Sequence, residues 1–419
     1  MEEQLNWAGN YRYSSMELLE PESLEEIQDL IASRPSIRVL GSRHSFNGIA
    51  DTGGSQLSLR KLNRIINLDG VHRTVTVEGG IRYGDLCRYL DEHGYALHNL
   101  ASLPHISVAG AVATATHGSG DQNASLASSV RAIELMKADG EVKVLKRGID
   151  PEFDGAVVGL GGLGVVTKLE LDVVPSFQVS QTVYDRLPFS VLDSGIDEIS
   201  SAAYSVSLFT DWAEPVFNQV WVKRKLGIDG EHEAPSHFFG ALPAPEKRHM
   251  VPGQSVVNCS EQLGAPGPWH ERLPHFRMEF TPSAGNELQS EYFVPRRHAV
   301  EALRALGKLS DKIAPLLFIS EIRTIAADTL WMSPCCGQDS VGFHFTWKQD
   351  WERVRQVLPL IERELEPFGA RPHWAKLFTM EPGQIQARYE RLTDFRQLLL
   401  KYDPAGKFRN TFLDHYIMN

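Results

Sequence analysis

From Ala101 to Gly120 the chain reads ASLPHISVAGAVATATHGSG, a stretch dominated by Ala, Gly, Ser and Thr and free of Asp, Glu, Lys and Arg. Side chains this small bring the backbone close to whatever lies opposite, and glycine adds conformations closed to other residues. Two readings are open for it. The stretch is a tightly packed spacer whose hydroxyls satisfy nearby backbone, or a cradle in which N–H and O–H groups approach a diphosphate. Two more glycine-rich stretches favour the cradle. GSRHS places Gly41 and Ser42 directly behind the apolar strand IRVL, where backbone N–H groups can form an anion-binding nest. GLGGLG, Gly159 to Gly164, has the spacing of a dinucleotide fingerprint, but that motif needs a helix opening at its last glycine. The residues that follow, VVTKLELDVV, alternate like a strand, so a Rossmann unit is rejected. Three such stretches in one half of the chain point to a dinucleotide held by loops.

That half alternates short strands and helices. IRVL reads as a buried strand, HRTVTVEGG and VVTKLELDVV as alternating strands, the second stopped by Pro175. AIELMKADGEVKVL reads as a hairpin turning at Asp139 and Gly140, and YGDLCRYLDEHGYAL as a helix stopped at Gly94. Near Pro175 the texture changes to longer strands: SVSLFTDW, NQVWVKRK, HFRMEF and LQSEYFVP. Two amphipathic helices are expected over RRHAVEALRALGKLSDKIA and DWERVRQVLPLIERELEPF, and HFFGALPAPEKRHMVPGQS reads as an irregular surface loop. A chain of 419 residues exceeds the size of a single core, so an α+β protein of two domains dividing near residue 178 is expected.

Charge and cysteine content narrow the partners. A net charge of −11 argues against nucleic acid or a membrane surface and suits a neutral or cationic small substrate. The first residues, MEEQLNWAGN, are acidic and polar, unlike a signal or transit peptide, and no apolar run is long enough to cross a bilayer. Cys87, Cys259, Cys335 and Cys336 fit neither a disulfide framework nor a metal cage, and reduced thiols in a cytoplasm are expected. No metal is expected: His44, His105 and His117 have no usual ligand spacing.

The second half carries a different inventory. If SEIRTIAAD is a strand, Glu321 and Arg323 share one face; in GFHFTW, His344 and Thr346 share a face between large aromatics; in HWAKLF, Lys376 falls between Trp374 and Phe378. Each pair alone is a solvent-facing strand. Together they offer an acid, a guanidinium, an imidazole, a hydroxyl and an amine, a set suited to a small molecule with many hydroxyls.

GSRHSFN, GGIRYGDL, ASLPHISVAGAVATATHGSG and GGLGVVTKLELDVVP, in that order, resemble the FAD-binding domain of the vanillyl-alcohol-oxidase family of flavoproteins. AAYSVSLFTDW, NCSEQLGAPGPWHERLPHFR, ELQSEYFVP, EIRTIAAD, HFTW, RPHWAKLFT and DPAGKFRNTF resemble the alditol-oxidising branch of that family, so the similarity spans essentially the whole chain. The resemblance implies an FAD-binding domain over residues 1–178 and a substrate (cap) domain over 179–372, built on an antiparallel sheet flanked by helices. It implies a C-terminal segment, 373–419, that completes the active site and packs back on the FAD domain. It implies FAD bonded covalently to His44, with Gly41, Ser42, Arg43, Ser45, Ala101, Ser102, Ser107, Gly110, Thr114, His117, Gly118, Ser119, Gly164 and Val166 in the segments that line it. Ala101 falls where side-chain size in relatives governs oxygen access. Ser102, Glu321, Arg323, Thr346 and Lys376 match polyol-contacting positions, with His344 near the flavin. Relatives carry glycine where Arg43 stands here.

The activity so implied is oxidation of the terminal primary alcohol of an alditol, with hydride passing to flavin N5 and O2 leaving as H2O2, by a monomeric protein. Arg323 and Lys376 suit the charge developing on the alcohol oxygen, and Lys376 or His344 the role of base. The alternatives are an aldonolactone or sugar oxidoreductase of the same family using another electron acceptor, a hydrolase with a metal on the histidines, and a catalytically silent sugar-binding protein.

Overall fold

The computed structural model describes residues 4–227, 235–278 and 287–419. Three short strands open it, Glu17–Leu19 (β1), Ile37–Val39 (β2) and Ser55–Leu57 (β3), paired in parallel in the order β1-β3-β2. Helix Leu24–Ser33 (α1) crosses between the first two, its N-terminus capped by Ser23, which accepts from the Glu26 N–H. A five-stranded antiparallel sheet follows, built from Ile65–Asp69 (β4), Thr74–Glu78 (β5), Val130–Met136 (β6), Val142–Lys146 (β7) and Val165–Asp172 (β8) in the order β4-β5-β8-β6-β7. Along β8 buried and half-buried residues alternate without a break, as its sequence demands. The β6–β7 hairpin turns through Gly140 at φ 81, and the helix Tyr83–Glu92 (α2) ends before Gly94 at φ 78, both left-handed positions that glycine holds without strain. Between β5 and β6 the small-residue stretch forms a short helix, Val108–Ala113 (α3), where a loop was expected.

The second sheet is larger. Gln178–Pro188 (β9), Ser205–Thr210 (β10), Val216–Lys225 (β11), Glu287–Pro295 (β12), Leu317–Ile325 (β13) and Ser340–Lys348 (β14) run in the order β9-β11-β10-β13-β14-β12, with two-residue pieces at its edges. One face of β12 to β14 presents Tyr292, Ile322, Phe343, Phe345 and Trp347 to helices Ala299–Gly307 (α4) and Trp351–Leu365 (α5), in one continuous apolar core. Tyr292 Oη donates to Glu362 Oε1 of α5 at 2.8 Å, so even the polar tip on this face is satisfied. The opposite face is polar and turns toward the first half of the chain.

Three expectations need correction. RRHAVEALRALGKLSDKIA is not one helix: α4 stops at Gly307, a residue that weakens a helix interior by about 1 kcal/mol, and a separate turn covers Ser310–Ile313. HFRMEF is not a strand in its described part: Phe276 makes an isolated bridge to Cys259, while Glu279 and Phe280 lie outside the described residues. Its alternation is real, but the backbone pairs with the loop at Asn258–Ser260 and joins no sheet. VVTKLELDVV ends as a strand at Asp172, and Val174–Pro175 begins a second pairing, with Tyr95–Ala96.

Two seams bring the halves together. Gly120 N–H donates to Thr324 O at 3.0 Å, and Ala326 N–H to Asn123 O at 3.0 Å, joining the small-residue stretch to the end of β13. The C-terminal segment returns: Phe46 N–H donates to Ala375 O at 2.7 Å, and the Asn47 amide donates to Trp374 O and Lys376 O. Asn410 likewise donates to the carbonyls of Gly48, Ile49 and Asp51.

Candidate active site

Strand register builds the polar wall. Glu291 of β12 lies opposite His344 of β14, which lies opposite Glu321 of β13, which lies opposite Phe209 of β10. Two residues along, Gln289 pairs with Thr346; two residues the other way, Arg323 pairs with Gly342. The period of two therefore stacks these side chains on one face. Gly342 keeps the row open, since a Cβ there would lie 3.2 Å from Glu291 Oε1.

Glu291 is the hub. Its Oε1 accepts from Arg323 Nη2 at 2.7 Å and lies 3.2 Å from His117 Nε2, and its Oε2 accepts from Lys376 Nζ at 2.6 Å. Burial pushes this carboxyl upward, but Lys376, Arg323 and His117 outweigh it and hold the group well below the usual carboxylate range. Glu321 behaves alike: burial opposes ionisation, while Arg323 and His275 keep its carboxyl low, with His275 Nε2 at 2.8 Å. Burial lowers the Lys376 ammonium, and Glu291 partly restores it. His344 is pushed well down by burial and then by the Lys376 charge, so it stands neutral. The Gln289 amide donates to Glu287 Oε1 at 2.6 Å, which leaves Gln289 Oε1 as the acceptor 3.2 Å from His344 Nε2. The network thus assigns the imidazole proton to Nε2 and the lone pair to Nδ1.

The facing wall comes from the first half. His44 stands 4.4 Å, ring to ring, from Trp7 and 5.1 Å from His105, whose Nε2 is 3.4 Å from His44 Nδ1. Burial, His105 and Lys376 push His44 down to about 3, which keeps a nucleophilic lone pair on its ring at neutral pH. Arg43 beside it is left-handed, at φ 61. A glycine holds that conformation without strain, which gives the arginine at this position a definite conformational cost.

A single cavity takes in both walls. Gly41, Ser42, Arg43, His44, Ser45, Ala101, Ser102, Ser107, Gly110, Thr114 and His117 line it from the first half, and Glu321, Arg323, His344, Thr346 and Lys376 from the second. Gly118, Ser119, Gly164 and Val166 are not among its lining residues. Gly118 is pressed against the Leu100 carbonyl, Ser119 Oγ donates to Val206 O, Gly164 backs onto Met136, and the Val166 carbonyl fills the space a Cβ on Gly79 would need. They shape the backbone behind the wall. HWAKLF is not a strand: Trp374 to Lys376 form a turn closed by Lys376 N–H donating to His373 O at 3.0 Å, and this turn aims the ammonium at Glu291. Sequence reasoning passed over Glu291, Gln289, His275 and His373, which also line the cavity. Glu291 shares a strand face with Gln289, two residues away, just as Glu321 does with Arg323, and that shared face was the available signal. It also passed over Arg38, fully buried in β2, whose guanidinium donates to the carbonyls of Ile49, Leu160, Gly161 and Phe408 and so ties the GLGG loop and the C-terminal segment together.

Residues 17–146 match the model of a family described as FAD binding domain, and residues 284–416 that of D-arabinono-1,4-lactone oxidase. The chain is 50% identical to alditol oxidase of Streptomyces sp. (strain IKD472 / FERM P-14339) over 97% of each protein. It belongs to the alditol oxidase family of FAD-linked oxidases. L-gulonolactone oxidase of Mus musculus is 27% identical over 98% of this chain and 97% of its own. The cholesterol oxidase structure from B. sterolicum superposes over 99% of this chain and 96% of its own with a TM-score of 0.77 at 14% identity, which shows the shared vanillyl-alcohol-oxidase-type fold.

FAD is therefore the cofactor, and the residues present fit it. Ser107 Oγ is buried in the cavity wall without a hydrogen-bond partner among the described residues, although Ser107 occupies the cap position of α3. A Cβ at Gly41 or Gly110 would lie 2.6 or 2.7 Å from that oxygen, so both glycines keep the space beside it clear. An orphaned donor in a cleared cradle is a place for an anionic or carbonyl oxygen.

Proposed function

We propose that this protein is an FAD-dependent oxidase of linear polyols, converting the terminal primary alcohol of alditols such as xylitol and sorbitol to the aldose while O2 becomes H2O2. The observation that carries the reading is the pre-paired set Glu321, Arg323, Glu291 and Lys376 on a buried wall opposite the FAD cradle. When bound, FAD supplies the acceptor for the hydride and the route of its electrons to oxygen. Ser102 and Thr346 offer hydroxyls, and Glu321 accepts from the substrate hydroxyls beyond the reacting carbon. A simple alcohol leaves the cavity-facing side of Glu321 and the two hydroxyls without these contacts, which discriminates against it. Neutral His344 takes the proton of the reacting hydroxyl at Nδ1, while Arg323 and Lys376 offset the charge that develops on that oxygen. His44 carries the covalent link to FAD, a role supported by its uncharged ring in the cavity wall. The same reading assigns residues 1–178 to FAD, 179–372 to substrate, and 373–419 to completing the site, supported by the return of Lys376 and Asn410 to the first half. Four free cysteines support a reducing compartment, the cytoplasm; among the described residues no helix is long and apolar enough to cross a membrane.

A second reading, oxidation of an aldonolactone, is favoured by the match of residues 284–416 to the lactone oxidase model. A peroxide-coupled screen of alditols, lactones and aldoses on the purified yellow protein separates the two. Turnover of xylitol and sorbitol well above gulono- or galactonolactone is expected, and the reverse order overturns the polyol reading. Acid-precipitated protein is expected to keep its yellow colour in the pellet and the His44→Ala variant to lose it; a colourless pellet from the unaltered protein removes the covalent link.

A further inference from the structure

Lys223 stands outside the reaction just described, yet it is one of the most deeply buried charged groups in the protein, with 1% of its surface exposed. It lies on β11, two strands away from β13. Its ammonium has three N–H bonds, and three acceptors meet it: Leu273 O, Pro274 O at 3.2 Å and His275 Nδ1 at 3.4 Å. A ring nitrogen that accepts carries no proton, so the His275 proton sits on Nε2. That nitrogen is 2.8 Å from Glu321 Oε1 and donates to it. The ring itself is clamped by Phe209 at 5.6 Å and Trp221 at 5.2 Å, both edge-on, and its carbonyl accepts from Ser260 N–H at 2.9 Å. Glu321 Oε2 is left toward Arg323 Nε, 3.6 Å away, and toward the cavity.

We propose that Lys223 and His275 are positioning residues for polyol recognition: Lys223 fixes the tautomer of His275, and His275 holds Glu321 so that one carboxylate oxygen faces the substrate. The proposal rests on the polyol reading for what Glu321 binds, but not for the relay itself. The charged and titratable groups facing this relay are Lys223, Glu321, Arg323, His344 on β14 and, from the C-terminal segment, Lys376. Burial pushes the Lys223 ammonium down to about 7, partly restored by Glu321, so the relay loosens on the alkaline side of neutrality. Charge-assisted hydrogen bonds of this kind are worth about 1.5–3 kcal/mol, or roughly 10- to 100-fold in binding.

His275→Leu is therefore expected to raise the KM for xylitol by about 10- to 100-fold while kcat stays within about threefold and the flavin content is unchanged. His275→Gln, which keeps an N–H donor, is expected to restore most of the loss, and Lys223→Met to shift KM in the same direction by less. A KM within twofold of the unaltered enzyme in His275→Leu, or a kcat that falls in step with kcat/KM, overturns the proposal. Should His275→Leu not fold, an unchanged KM in Lys223→Met overturns it equally. If the unaltered protein turns over no alditol, the polyol reading has failed and the relay is judged without substrate, by the 15N shifts of His275. Nε2-protonated His275 at pH 7, becoming a tautomer mixture in Lys223→Met, supports the relay; the same shifts in both proteins overturn it.

Discussion

The two walls of the cavity are built by opposite means. The cradle wall works by leaving things out. It holds glycines where a Cβ would strike Ser107, an unsatisfied hydroxyl, and two non-glycine residues in the left-handed region, Arg43 and Leu160. The charged wall works by packing charges in. Glu291, Glu321, Arg323 and Lys376 stand on or beside regular strands β12 to β14, which contain no left-handed residue, and each charge meets an opposite one before any substrate arrives. Bent backbone leaves open space beside it, whereas regular strands fix the positions of paired side chains, and pre-fixed partners cost less to order on binding.

The sharpest break of the comparison is Glu291→Gln. It leaves Lys376 and Arg323 as buried cations short of a partner, and a loss of about 3–5 kcal/mol in unfolding free energy is expected by denaturant titration. A loss under 1 kcal/mol would mean that the wall is not held by its own pairing. Next in size, Lys376→Met keeps Glu291 paired to Arg323 and is expected to slow flavin reduction by alditol about 100- to 1000-fold in anaerobic stopped-flow. An unchanged rate would leave the ammonium only a structural role.

Acid is expected to act on the two walls in two windows, through their histidines first and the carboxylates second. His44, pushed down to about 3, and His105, pushed down to about 4, are neutral in the folded cradle. Depressed imidazoles give stability that is full above the unfolded value of about 6.5 and lost as pH falls toward their folded values. His344 and His373, also depressed, add to this loss from the wall side. The depressed carboxyls of Glu291 and Glu321 give stability that is lost only below about 4.3, as they protonate. Melting temperature followed from pH 8 to 4 should begin to fall below about pH 6.5 and steepen below about 4.5; a flat profile down to pH 5 would break the assignment of neutral histidines. The smallest expected effect is Arg43→Gly. Relief of the left-handed strain, offset by greater freedom in the unfolded chain, should stabilise by about 0–1 kcal/mol in the same titration.

Much of the cradle was legible because it is local. GSRHS, the small-residue stretch and the strand after GLGGLG each state their geometry within a few residues, and the rejection of a Rossmann unit followed from β8 alone. Glu321, Arg323, His344 and Thr346 were legible for the same reason, since alternation along one strand tells which side chains share a face. Glu291 was not, although its strand was recognised, because nothing in LQSEYFVP says that β12 will lie beside β14 and aim its carboxylate at Lys376. HWAKLF reads as a strand in sequence, but the Lys376 N–H donates to His373 O and closes a turn, a contact that the residue pattern does not encode.

Composition, periodicity and turn chemistry thus determined the α+β class, most of the strands, the main helices and the shared faces of Glu321 with Arg323 and of His344 with Thr346. Those properties depend on neighbours in sequence. The tertiary structure alone decided which carboxylate meets which cation, that Lys223 reaches Glu321 through His275, and that Arg38 ties β2 to the GLGG loop and the C-terminal segment. Strand order and the return of the C-terminal segment arise from burial of whole apolar faces, a sum over the entire core that no short stretch of residues encodes.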